Sequence, residues 1–121
     1  REVAEEARLA ASEWRTLVDI FTAPGGLQES IRIFLARDLS PTERPDGFVV
    51  DGEEADMCLY WLPLEHLVEL IYRGEVQSPT MVAGTLALAL AVEQGRLDQL
   101  RPADADWPAR RAKEQRDREF N

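Results

Sequence analysis

The sequence predicts an α/β protein of the α+β kind, with its strands and helices in separate runs. Three observations carry that reading. Residues 14–22 and 29–39 are rich in β-formers and alternate, in part, apolar with polar side chains. Leu64, Leu67, Val68 and Ile71 recur at the i, i+3, i+4, i+7 spacing of an amphipathic helix. The run "SPTMVAGTLALALAVEQGR" opens on Ser-Pro and closes on a glycine, the boundary chemistry of a helix. The chain has 121 residues, enough for one ordinary domain and not for two, and 45% of them are hydrophobic, so a core is within reach.

Residues 1–8 read as a helix, with Val3, Ala4 and Ala7 on one side and charges opposite. "WRTLVDIFT", residues 14–22, is the first strand. "APGG" at 23–26 ends it, because proline lacks a backbone donor and the glycines permit positive φ. "ESIRIFLARDL" resumes as a strand, with Ile31, Ile33 and Leu35 alternating with their neighbours, and the two form a hairpin. Residues 40–56 form a long polar loop with two prolines and two glycines; loops of about 15 residues are uncommon in compact domains and are usually functional. "MCLYWLPL" is expected to be a third strand with Cys58 buried in it as a structural thiol. The helix after Pro63 ends near Gly74. In the next, Ser78 is a suitable N-cap, Pro79 the first helical residue and Gly95 the stop. That second helix is apolar nearly all round, so it is expected to be buried. After Leu100 the composition turns to charge, which suggests a tail over 101–121 with either a short helix from about 108 or no fixed structure.

Composition excludes several classes. A formal net charge of −9 argues against nonspecific nucleic-acid binding, which depends on lysine and arginine neutralising phosphates. No apolar run reaches the roughly 20 residues of a membrane span, and the mean hydropathy is −0.33. The single cysteine cannot form an internal disulfide. A reducing, cytoplasmic setting is the expectation.

The chemistry is expected at the acidic positions. Glu2 and Glu6 stand four residues apart, so both carboxylates project from one helix face and repel each other. A divalent cation between them relieves the repulsion, and Mg²⁺ takes carboxylate oxygens; a solvated acidic face is the alternative on spacing alone. Glu5 follows Arg1 by four residues and can pair with it.

"REVAEEARL" resembles the second half of the Nudix signature, Arg-Glu-aliphatic-any-Glu-Glu-any-Gly-aliphatic. "APGG" with Glu29, then "DGEEADM" and "YRGEVQSPTMVAG", resemble, in order and spacing, the ADP-ribose pyrophosphatase subgroup, particularly its actinobacterial members. The resemblance covers about residues 1–95. It implies an α/β/α sandwich with a mixed sheet, of which residues 1–100 would be the C-terminal part. The front of the box and the first strands would lie before Arg1 or on another chain. It implies Mg²⁺ (or Mn²⁺) on Glu2 and Glu6. Glu53 would be the general base, with Glu54 its rival. Pro24, Gly25 and Gly26 would line the substrate pocket, with Glu29 near the ribose. The activity implied is hydrolysis of the diphosphate of ADP-ribose, or of a related nucleotide-sugar, to AMP and ribose 5-phosphate, by a homodimeric bacterial enzyme. The alternative is a degenerate module that binds a nucleotide-sugar without turnover. An acidic protein holds a diphosphate through bridging cations, which also lower the pKa of water, and a base on a loop can close over substrate.

One departure falls at Arg8, where the family pattern has the glycine that ends the box helix. Either Arg8 takes up the left-handed turn, at roughly 1 kcal/mol, or the helix runs on to about Ala11. Of the remaining residues, His66 is expected at the surface, Trp14 and Trp61 in the core or at a stacking edge, and Ser30 lacks a nearby base.

Overall fold

The computed structural model describes residues 8–23, 29–42 and 58–120. Strand β1 (Leu9–Phe21) and strand β2 (Ser30–Pro41) form the expected hairpin, antiparallel from Leu9 opposite Pro41 to Phe21 opposite Ser30. The register slips once, between Thr16 and Val18: Thr16 faces Phe34, whereas Val18 faces Ile33. Directly opposed residues share a face, and neighbours along β2 point to opposite faces. The extra residue, Leu17, therefore inverts the alternation of β1. Asp19, opposite Arg32, consequently stands on the same face as Thr16 and Phe34.

Helix α1 (Leu64–Tyr72) follows Pro63 and turns its Leu64–Leu67–Val68–Ile71 stripe inward, leaving His66 exposed as expected. Gly74 closes it at φ 76°, donating its N–H to the Ile71 carbonyl at 3.0 Å. Helix α2 (Pro79–Glu93) starts at Ser78, though the serine side chain makes no capping bond, and is followed by Gly95 at φ 66°. α2 lies against β2 at Gly84, where an added Cβ would stand 3.2 Å from Ile33 Cγ2. A 3₁₀ turn (Leu97–Gln99) leads into the two-residue strand β3 (Arg101–Pro102), which pairs antiparallel with β1 and completes the order β2-β1-β3. Helix α3 (Pro108–Phe120) follows Trp107. Ile33 meets α2 while its neighbour Arg32 meets Trp107, so helical segments flank both faces of the sheet. This is an α+β arrangement compatible with part of an α/β/α sandwich.

Several expectations need correction. The first strand begins at Leu9, so a helix running to Ala11 is excluded. The helix expected over residues 1–8 lies outside the described residues except for Arg8. No strand forms over residues 58–63: Cys58 is exposed rather than buried, and Leu59, Tyr60 and Trp61 are 58%, 75% and 68% exposed. An apolar run becomes a buried strand only where a neighbour offers a ladder and a covering face, and among the described residues none pairs with it. Trp14 is likewise half-exposed at the sheet surface, packed edge-on against Phe34 with ring centres 6.4 Å apart. Helix α2 is not enclosed; only Thr85 and Ala91 are buried, while Met81, Leu90 and Val92 are exposed. Its one-sided contact with the sheet leaves the opposite apolar face uncovered. Residues 101–107 are bound to the sheet, and the helical alternative from 108 is the one realised.

Candidate functional site

Of the residues singled out from sequence, Glu2, Glu6, Pro24, Gly25, Gly26, Glu53 and Glu54 lie outside the described residues. Glu29 is described, exposed at the foot of β2. Its carbonyl accepts from Thr22 N–H at 3.0 Å and from Thr22 Oγ1 at 3.4 Å, which ties the start of β2 to the end of β1. Arg8 is described as well. It adopts φ 54°, the left-handed conformation that glycine takes most easily, and its carbonyl accepts from Thr42 N–H at 2.8 Å. The chain thus makes the turn expected at the end of the box, with arginine in place of glycine.

A polar cluster that sequence reasoning missed holds the other end of the hairpin. Arg32 grips Asp19 with two parallel bonds, Nε to Oδ1 at 2.7 Å and Nη2 to Oδ2 at 3.0 Å. Its Nη1 donates to the carbonyls of Ala105 at 2.6 Å and Ala103 at 3.3 Å. Arg101 adds a third donor to Asp19 Oδ2 at 2.9 Å. The guanidinium of Arg32 also lies 5.5 Å from the Trp107 ring centre, and Trp107 packs on Phe21 at 5.5 Å. The hydrogen bond from Arg32 holds the Asp19 carboxyl below its ordinary range, outweighing partial burial, and Arg101 adds to the effect. Asp19 in turn raises Arg32. The cluster ties the strand end carrying Phe21 and Ala23 to the C-terminal segment. Its signal in the sequence was an acid and a base on paired strands, but only the bulge at Leu17 puts them on one face.

Among the described residues no group of three or more His, Cys, Asp or Glu side chains is placed to hold a metal ion. The carboxylates on Glu2 and Glu6 remain the donors to weigh, and their chemistry fits: hard oxygen ligands suit Mg²⁺ or Mn²⁺ and disfavour soft-ligand metals. Two hollows lie against helix α3. One lies between Phe21, Ala23 and α3, and the other is lined by Arg32, Phe34, Arg110 and Arg111. On the opposite face an open apolar groove runs between Ile33, Leu35, Leu64, Leu67, Met81 and Leu88.

No family model matches the chain. Over 107 residues it is 42% identical to the ADP-ribose pyrophosphatase of Mycobacterium tuberculosis (strain ATCC 25618 / H37Rv), spanning 88% of this chain and 49% of that protein. That similarity agrees with the resemblance to the Nudix family carried by the sequence. A second relative, the GDP-mannose pyrophosphatase of Enterobacter sp. (strain 638), is 30% identical over 77 residues, 64% of this chain and 39% of that protein. The chain thus spans half the length, or less, of the curated relatives it matches. Within the described residues, no helix is long and apolar enough to cross a membrane.

Proposed function

We propose that this chain is the C-terminal half of a Nudix enzyme that hydrolyses the diphosphate bond of ADP-ribose, or of a closely related nucleoside diphosphate sugar, with Mg²⁺ or Mn²⁺. The observation that carries the reading is the 42% identity over 107 residues with a protein named ADP-ribose pyrophosphatase. The uncovered apolar surface supports the need for a completing half: Ala91 is the one buried hydrophobic residue among those described, while Trp14, Phe34, Tyr60, Trp61 and Met81 stand exposed. A homodimer, as the resemblance implies, is part of the proposal.

In this reading Glu2 and Glu6 hold the cation. Bound there, it neutralises diphosphate charge and eases ionisation of water. Glu53, or its rival Glu54, takes the proton from the attacking water. The oxygen adds to one phosphorus, and the bond from that phosphorus to the bridging oxygen breaks, releasing AMP and ribose 5-phosphate. Pro24, Gly25 and Gly26 line the pocket, and Glu29, exposed at the hairpin end, faces the ribose. A hydrolysis assay of the full-length protein against ADP-ribose, GDP-mannose and dinucleotides, with and without Mg²⁺, tests this. Metal-dependent release of AMP from ADP-ribose is expected; no turnover of any diphosphate would refute it. The alternative is a degenerate, non-catalytic module weakened at Arg8; that Arg8 takes the left-handed conformation expected of the glycine supports the catalytic reading.

A further inference from the structure

We propose that the cleft between the end of β1 and helix α3 is a phosphoryl-anion site, with Lys113 and Arg116 as its ligands. The cleft holds about 320 Å³, with Phe21 and Ala23 on the strand side. On the helix side, Ala109 and Ala112 leave it open, and Lys113, Arg116 and Asp117 supply its charge.

The basic residues of this region fall into two groups. Those around Trp107 are satisfied: Arg32 bonds Asp19 at 2.7 Å, Arg110 bonds Glu114 at 3.0 Å and Arg111 bonds Asp106 at 2.6 Å. Those in the cleft keep their donors. The Lys113 side chain is only 19% exposed, yet its ammonium stands 3.8 Å from Asp117 Oδ2, too far for a hydrogen bond. Its other neighbour is the Phe21 ring, 5.8 Å from Nζ. Arg116, three residues on along the same face, has no ion pair among the described residues. Among the described residues, two cations against one carboxylate leave the cleft positive in a chain of net charge −9. A guanidinium fork beside an ammonium point charge is the pairing that suits phosphoryl oxygens. Partial burial of Lys113 lowers the local dielectric and strengthens the attraction.

The cleft also opens beside Ala23, next in sequence to the proposed pocket segment at Pro24. The site's existence is independent of the hydrolase reading; only the choice of a nucleotide-derived ester as its natural occupant rests on that reading. The test uses the full-length protein in EDTA, so that no turnover occurs, titrated with AMP, ribose 5-phosphate and inorganic phosphate. Binding is followed by calorimetry and by amide chemical shifts in the wild type. Shifts at Ala23, Ala112, Lys113 and Arg116 are expected, with affinity for the preferred ester at least tenfold weaker in Lys113→Gln/Arg116→Gln. Equal affinity for phosphate and for both esters would keep the site and assign it to free phosphate. Unchanged affinity in the double variant, or wild-type shifts confined to other elements, would overturn the inference. Because hydrolysis is not read, an inactive enzyme with an intact anion site would refute only the catalytic proposal.

Discussion

Replacing Arg8 with glycine is expected to stabilise the protein while leaving its fold and activity in place. Arg8 sits at φ 54°, where a side chain crowds the following carbonyl oxygen. That conformation costs a non-glycine residue about 1–2 kcal/mol, and the glycine exchange returns about 0.4–1 kcal/mol of that through the greater freedom of the unfolded chain. The Arg8 side chain is exposed and the bond its carbonyl accepts from Thr42 N–H involves backbone alone, so neither offsets the gain. The net expectation is a gain of about 0.5–1 kcal/mol. Arg8→Ala is the control, since alanine keeps the crowded Cβ and removes only the exposed side chain. Urea unfolding of full-length wild type, Arg8→Gly and Arg8→Ala, extrapolated linearly to water, measures the difference. Glycine no more stable than alanine would refute the left-handed turn. A wild type that is inactive until Arg8→Gly restores turnover would revive the degenerate reading.

The other expectations follow the same route from residue to readout. Glu6→Gln should abolish most Mg²⁺-dependent turnover and leave unfolding unchanged; near-full turnover at saturating Mg²⁺ removes Glu6 from the metal site. Glu53→Gln should lower kcat by about 10²–10⁴-fold, the usual weight of a general base, with Glu54→Gln much less affected; losses of tenfold or less in both would place the base elsewhere, with Glu5 the next residue to test. Asp19 is held below its ordinary value of 3.8, so its contribution is full above that pH and fades as pH falls through the lower folded value. Acid unfolding followed by circular dichroism should therefore show a shallower loss of stability below about pH 4 in Asp19→Asn, and an unchanged slope would contradict the pairing with Arg32. Gly84→Ala should gain about 1 kcal/mol of helix propensity only when Ile33 is truncated, because the new Cβ stands 3.2 Å from Ile33 Cγ2; equal effects in wild type and Ile33→Ala would show no crowding there.

Local chemistry alone was enough for the existence of the hairpin and for α1 and α2 with their ends, but not for the start of β1, which lies at Leu9 rather than at Trp14. Alternation marks β1 and β2, a 3.6-residue stripe marks α1, and the positive φ of Gly74 and Gly95 is written in the residue type. The candidate acids Glu2 and Glu6 were named from spacing alone, since two glutamates four residues apart would share a face of a helix; they lie outside the described residues. Tertiary structure decided the rest. Whether "MCLYWLPL" became a strand depended on a partner edge, and among the described residues it has none, so Cys58 and Trp61 are exposed. The charged C-terminal segment looked like a tail because its helix buries so little, yet Trp107 and the Ala103 and Ala105 carbonyls find Phe21 and Arg32 across more than seventy residues of chain. The one-residue bulge at Leu17 is the clearest case. No local preference demands it, but it turns Asp19 to the face of Arg32, and a register is set by which side chains the two strands and the packed segment can satisfy together.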